Sequence, residues 1–115
     1  RENAEIYFKN LNKKYIFIPP ETTKEFNTYH TFVVQVSKRD KLKKYLRSKG
    51  IETSIHYPIP IHFQPAVKKL KNKFLNLNQT EEQSKKIITL PINQHLKKSE
   101  IQKICYEVNN FYENF

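Results

Sequence analysis

Two histidines, a tyrosine and a glutamine fall within nine residues of this chain: His56, Tyr57, His62 and Gln64. Pro58, Pro60 and Pro65 punctuate the same stretch. Each proline fixes φ and removes a backbone donor, so the stretch cannot run on as helix or inner strand. It reads as a stiff polar loop, and such loops commonly present side chains to ligands. A neutral imidazole and a phenol hydroxyl both give and accept hydrogen bonds, so the loop offers groups that a polar ligand would use. Two histidines six apart also raise the question of a metal. A zinc site needs about four ligands, and apart from Glu52 no Cys or carboxylate lies beside the segment, so no metal is expected. For the same reason acid–base chemistry by this chain alone has little to rest on. The plainer alternative is that His56 and Tyr57 are half-buried and merely close the domain.

The elements that must hold this loop are readable on either side of it. Ala4, Tyr7, Phe8 and Leu11 recur at helical spacing and predict an opening amphipathic helix. Tyr15 to Ile18 is a short apolar run stopped by Pro19 and Pro20, an edge strand. Tyr29 to Val36 is the clearest strand, β-branched and aromatic throughout. Ser37 with Asp40 reads as a capping box opening a helix over 38–49. Gly50 stands where a left-handed stop residue is wanted, followed by apolar Ile51. Thr53 to Tyr57 predicts another strand running into the prolines, and His62 to Leu70 one or two helical turns. Residues 71–78 read as a polar loop. Thr80 with Gln83 predicts a second capping box and a short helix, followed by a strand over Ile87 to Leu90 that Pro91 stops. Ile101, Ile104, Cys105, Val108, Phe111, Tyr112 and Phe115 form one stripe of a final helix, with Lys103, Glu107, Asn110 and Glu113 opposite. On that stripe Cys105 reads as a small core residue, not a nucleophile. The whole is one domain over residues 1–115 of α+β class. A small, mainly antiparallel sheet of about three to four strands carries helices on one face.

Composition narrows the functions. The 115 residues carry 21 Lys and Arg against 11 Asp and Glu, a net charge of +10. That balance favours a polyanionic partner, and a stand-alone nucleic-acid-binding module is the alternative it suggests. Only Arg1, Arg39 and Arg47 are arginines, however, and the lysines are dispersed without an aromatic platform. Bidentate phosphate and guanine recognition prefers Arg, so nucleic acid is the weaker expectation. Gly50 is the single glycine. This excludes dinucleotide fingerprints and phosphate loops, which need several. One cysteine rules out an internal disulfide. No apolar run approaches the roughly 20 residues of a membrane helix, and the opening residues lack the apolar core of a signal peptide. A cytoplasmic location is expected. The chain starts at Arg1 and has no methionine, so a piece of a longer or processed protein is expected.

These segments together resemble the C-terminal region of the DegT–DnrJ–StrS family, sugar aminotransferases of aspartate-aminotransferase-like fold. The resemblance rests on order and spacing. It runs through Tyr29-His30-Thr31-Phe32-Val33-Val34, Arg39-Asp40 with Leu42 and Leu46, and Lys49-Gly50-Ile51. It continues through His56-Tyr57-Pro58-Ile59-Pro60-Ile61-His62 with Gln64-Pro65, then Leu90-Pro91-Ile92, Leu96 and Ile101. Residues 71–79 depart from it, being rich in Lys and Asn, and Lys97 stands where a capping Thr or Ser is common, which leaves Ser99 to cap.

The resemblance implies a C-terminal small domain of a pyridoxal-phosphate enzyme, with residues 1–13 ending the helix between domains. It implies that the Schiff-base lysine, the acidic partner of the pyridine nitrogen and the phosphate ligands belong to a large domain. No catalytic residue is then expected here, no cofactor on this piece, and no activity from it alone. The full enzyme is expected to be a homodimer moving an amino group from glutamate to a nucleotide-linked keto-sugar, in cell-surface polysaccharide or glycan biosynthesis. Relatives that dehydrate a sugar with the aminated cofactor, or that act in regulation, are the alternatives. Substrate-binding roles fall on His56, Tyr57, His62 and Gln64, with Tyr29 and His30 as weaker candidates.

Overall fold

The structure, a computed structural model, describes residues 1–68 and 76–114. Its elements in chain order are α1 (Glu2–Asn10), β1 (Ile16–Phe17), β2 (Phe32–Val36), α2 (Arg39–Ser48), a 3-10 turn (Ile61–Phe63), α3 (Pro65–Lys68), α4 (Asn78–Lys86), β3 (Ile87–Leu90) and α5 (Lys98–Asn114). The strands form one antiparallel sheet in the order β1-β2-β3. No helix among the described residues is long and apolar enough to cross a membrane.

Period-two alternation decides the two faces of the sheet. Ile16 pairs with Val36, Val34 with Ile88 and Phe32 with Leu90. All six are buried, so this face is the core. Phe17, Gln35 and Val33 alternate onto the other face. Against the core face lie Ala4, Tyr7 and Leu11 of the α1 segment, Leu42 and Leu46 of α2, and Ile101, Ile104, Cys105, Val108 and Phe111 of α5. Both α1 and α2 also pack on α5. The Tyr7 ring stacks on Phe32 at 4.6 Å, and its hydroxyl donates to the Pro91 carbonyl at 2.6 Å. Burial pushes the Tyr7 phenol far up and the Cys105 thiol up to about 12, so Cys105 is a core residue.

The helix ends differ from several expectations. Gly50 has φ +74°, the Gly50 amide donates to the Arg47 carbonyl and Ile51 donates to Leu46 at 2.9 Å. The predicted glycine stop is therefore present as a Schellman motif. At the start of α2, Ser37 caps nothing. Lys38 turns the chain in the left-handed region at φ 51°, and Asp40 pairs with Arg39 Nε. The Ser37 carbonyl accepts from the Tyr112 hydroxyl instead. Thr80 is also no cap, because α4 begins two residues earlier at Asn78 without a side-chain cap. Ser99 lies inside α5. Glu100 reaches back to the Lys97 amide at 2.7 Å, which is the carboxylate half of a capping box.

Three element predictions are corrected. The strand expected from Tyr29 starts at Phe32, because Tyr29 itself is left-handed at φ 53° and packs its ring edge-on against Phe8. The strand expected over 53–57 is one bridge, Ser54 with Thr89. Prolines 58 and 60 supply no ladder donors to continue it. On α5, Glu107 and Asn110 are partly buried, since Tyr45 of α2 donates to Glu107 at 2.6 Å and accepts from Asn110 at 3.0 Å. The expected helical turns after His62 run as far as Lys68. Leu70, most of the expected 71–78 loop and Phe115 lie outside the described residues.

Candidate functional site

The chain leaves α2 through the Gly50 stop and is pinned at once. Ile51 and Thr53 are buried, and Lys43 Nζ donates to the Thr53 carbonyl. Ser54 then exchanges two backbone bonds with Thr89, at 3.2 and 2.8 Å. Two residues on, His56 Nδ1 lies 2.9 Å from Thr89 Oγ1. One residue of β3 thus fixes both the backbone entering the segment and the ring of its first histidine. Nδ1 is engaged, and the exposed ring keeps Nε2 for another partner.

His56 lines a shallow depression of about 210 Å³ with His30, Thr31, Glu52, Ser54 and Thr89. His30 and Ile92 also line a neighbouring depression of about 680 Å³, with Arg1, Asn3, Tyr29 and Gln94 on its walls. The two adjoin at His30 and Ile92 as a shallow trough of mixed polar and apolar lining, between the start of α1 and the end of β3. Its donors and acceptors are imidazole, hydroxyl, amide and carboxylate groups, with one guanidinium. The guanidinium is already paired with Glu21, so the lining suits a hydroxyl-rich polar ligand through neutral donors and acceptors.

The other predicted residues stand elsewhere. Tyr57 is 74% exposed and meets His56 edge-on at 5.4 Å. His62 is nearly covered, its Nε2 lying 3.1 Å from Glu81 Oε1 on α4. Gln64 folds back to donate to the Ile59 carbonyl at 3.2 Å. His56 and Tyr57 therefore face outward, while His62 and Gln64 hold the segment's far end. Of the weaker candidates, His30 lines the trough beside His56, and Tyr29 is tied to Glu21 at 3.3 Å. Arg1 forks onto Glu21 at 2.9 and 3.0 Å, and this pairing holds the Glu21 carboxyl down at about 2. Sequence reasoning missed Thr89 and Glu81. A strand threonine and a helix glutamate carry no local signal, and only the fold brings them to the histidines.

A further groove of about 640 Å³ runs along α1, walled by Phe8, Lys9, Lys13 and Ile18, and meets the second depression at Arg1 and Tyr29. None of the four predicted site residues lines it. No group of three or more His, Cys, Asp or Glu able to hold a metal occurs among the described residues.

The family's sequence profile, described as the DegT/DnrJ/EryC1/StrS aminotransferase family, matches residues 1–109. The chain belongs to this family. It is 30% identical over 96% of its length to a dTDP-3-amino-3,6-dideoxy-alpha-D-galactopyranose transaminase of Aneurinibacillus thermoaerophilus. It is 29% identical over its full length to a Geobacillus stearothermophilus protein named pleiotropic regulatory protein. Among solved structures, that of S. venezuelae DesV superposes on 98% of the chain with a TM-score of 0.87 and 26% identity. The chain spans about a third of each relative, 30% and 32% of the two sequences and 30% of DesV.

This aminotransferase family depends on pyridoxal phosphate. Such a site needs an amine to carry the cofactor, a carboxylate for the ring nitrogen and clustered donors for the phosphate. The two depressions around His30 do not assemble that set. Among the described residues no lysine lines either of them, and the single glycine closes α2. The residues of those depressions do not by themselves fit the cofactor.

Proposed function

We propose that this chain is the small domain of a pyridoxal-phosphate-dependent aminotransferase acting on a nucleotide-linked keto-sugar, and that its trough edge covers the substrate. The observation that carries this reading is the family match over residues 1–109 in a chain a third the length of its relatives. The cofactor and its lysine then belong to the rest of the protein. When bound, the cofactor acts as the electron sink for amino transfer. In this reading glutamate gives up its amino group and leaves as 2-oxoglutarate, and the sugar carbonyl becomes an amine. The enzyme works as a cytoplasmic homodimer, and this chain alone is inactive.

The division of labour within the segment follows from its bonds. His56 Nε2, the Tyr57 hydroxyl and His30 are the groups free of backbone duty on the open side, suited to sugar hydroxyl or diphosphate oxygens. His62 and Gln64 contribute by holding the loop that carries them. A regulatory role is the second reading, favoured by the printed name of the Geobacillus relative.

The test is turnover by the full-length protein. Supplied with glutamate and dTDP- or UDP-linked keto-sugars, it should form 2-oxoglutarate and the amino sugar in equal amounts. Failure to aminate any of them, in protein showing the bound cofactor's absorbance, would favour the regulatory reading. Absence of both cofactor and turnover would overturn the proposal.

A further inference from the structure

Glu81 belongs to no site assigned so far, yet its carboxylate meets the second histidine of the segment. Among the described residues, side-chain bonds tie the segment from His56 to Gln64 to the α4–β3 stretch at two points. At its start, Ser54 and His56 are tied to Thr89. At its far end, His62 Nε2 meets Glu81 Oε1 at 3.1 Å, with the His62 side chain only 9% exposed. A carboxylate only accepts, so Nε2 carries the proton in this bond. Thr89 and Glu81 lie eight residues apart on one continuous stretch, because α4 runs directly into β3 at Lys86–Ile87. That joint is itself stitched to α2. Arg39 Nη1 donates to the Ser84 carbonyl at 3.2 Å and the Ile87 carbonyl at 3.1 Å.

Between the two anchors the loop closes on itself. Phe63 donates to Pro60 at 2.9 Å, Gln64 to Ile61 at 3.0 Å, and the Gln64 side chain to Ile59. Pro58 and Pro60 stiffen what remains. A short, internally bonded loop held at both ends has little freedom except at its anchors. Releasing one end therefore swings the whole loop. Tyr57, Ile59 and Ile61 are exposed and Pro60 alone of the segment is buried, so burial offers one residue to replace a lost anchor.

We infer that Glu81 is a positioning residue, whose bond to His62 Nε2 fixes the far end of the 56–64 segment and so aims His56 and Tyr57 at the nucleotide sugar. This rests on the aminotransferase reading for its ligand, but the anchoring itself does not. Glu81 touches no reacting group. It acts through His62, as supporting residues do when they hold a contact residue in its productive rotamer.

The experiment compares Glu81→Ala and Glu81→Gln with wild type in the full-length enzyme. Two readouts are taken: the rate of chymotryptic cleavage after Phe63, and the KM values for the keto-sugar nucleotide and for glutamate. Glu81→Ala should speed cleavage about fivefold or more. It should raise the sugar-nucleotide KM about tenfold, with kcat and the glutamate KM within about twofold. Glu81→Gln keeps an acceptor for Nε2–H and should behave like wild type in both. Unchanged cleavage in Glu81→Ala would overturn the anchor whatever the enzyme turns over. Faster cleavage with an unchanged sugar-nucleotide KM, or with both KM values raised alike, would overturn the positioning role. If wild type aminates no nucleotide sugar but the cleavage difference holds, the anchor stands and the aminotransferase reading falls.

Discussion

On the inner face of the sheet, Phe32, Val34, Ile88 and Leu90 are covered by helices, and none is more than 2% exposed. Along the loop that follows the Ser54–Thr89 bridge, Tyr57, Ile59 and Ile61 are 74%, 50% and 78% exposed. Side chains of the same apolar kind serve opposite surroundings in the two regions. The inner face is held by packing, with one stacked Tyr7–Phe32 pair at its centre. The loop is held by a few polar bonds to Thr89, Glu81 and its own backbone. The first region keeps the domain folded; the second leaves its apolar side chains open to solvent and contributes little to that.

Substitution should separate them sharply. Phe32→Ala removes a fully buried ring and should cost about 3–5 kcal/mol. Ile61→Ser, on the loop, should change stability by no more than about 0.5 kcal/mol. Urea unfolding of the two variants beside wild type measures both. Comparable losses would mean that the loop is part of the core.

The boundary between the regions is the Gly50 stop. Its φ of +74° disfavours any other residue, although a Cβ there would meet nothing within 4 Å. Gly50→Ala should therefore cost about 1–2 kcal/mol through backbone strain alone. A loss much larger than this in the same unfolding measurement would show that the loop's entry depends on more than this turn.

The smallest effect is electrostatic. Pairing with Arg1 lowers the Glu21 carboxyl from 4.5 to about 2. A depressed folded value means stability present above the unfolded value and lost as pH falls through the folded one. The melting temperature of Glu21→Gln should lie below wild type at pH 6, and the gap should close between about pH 4.5 and 2. A gap independent of pH would assign the loss to shape instead of charge.

How far sequence reaches follows the same division. The opening helix, the edge strand, the Gly50 stop and the α5 stripe were legible because each is a local rule of period, turn or cap. Expectations failed for two kinds of reason. A distant partner, Tyr45, drew in Glu107 and Asn110, whereas the caps failed locally: α2 opens from left-handed Lys38, and Glu100 reaches back to the Lys97 amide in place of Ser99. The candidate site stood out only as a cluster of residue types, while the segment's resemblance named the family that the profile match then established. Its geometry was not legible. His62 was grouped with His56 by spacing, yet the fold turns it onto Glu81, nineteen positions away in sequence.

The central claim is that His56 at the trough binds the nucleotide sugar and contributes nothing essential to the fold. The direct measurement is calorimetric binding of a dTDP- or UDP-linked amino sugar to full-length wild type and to His56→Ala, with melting temperatures taken alongside. A sugar contact through His56 predicts a Kd weakened about tenfold, the equivalent of one hydrogen bond, with the melting temperature lowered by no more than about 4 °C through loss of the Thr89 bond. An unchanged Kd, or a weakened one accompanied by a larger fall in melting temperature, would overturn it.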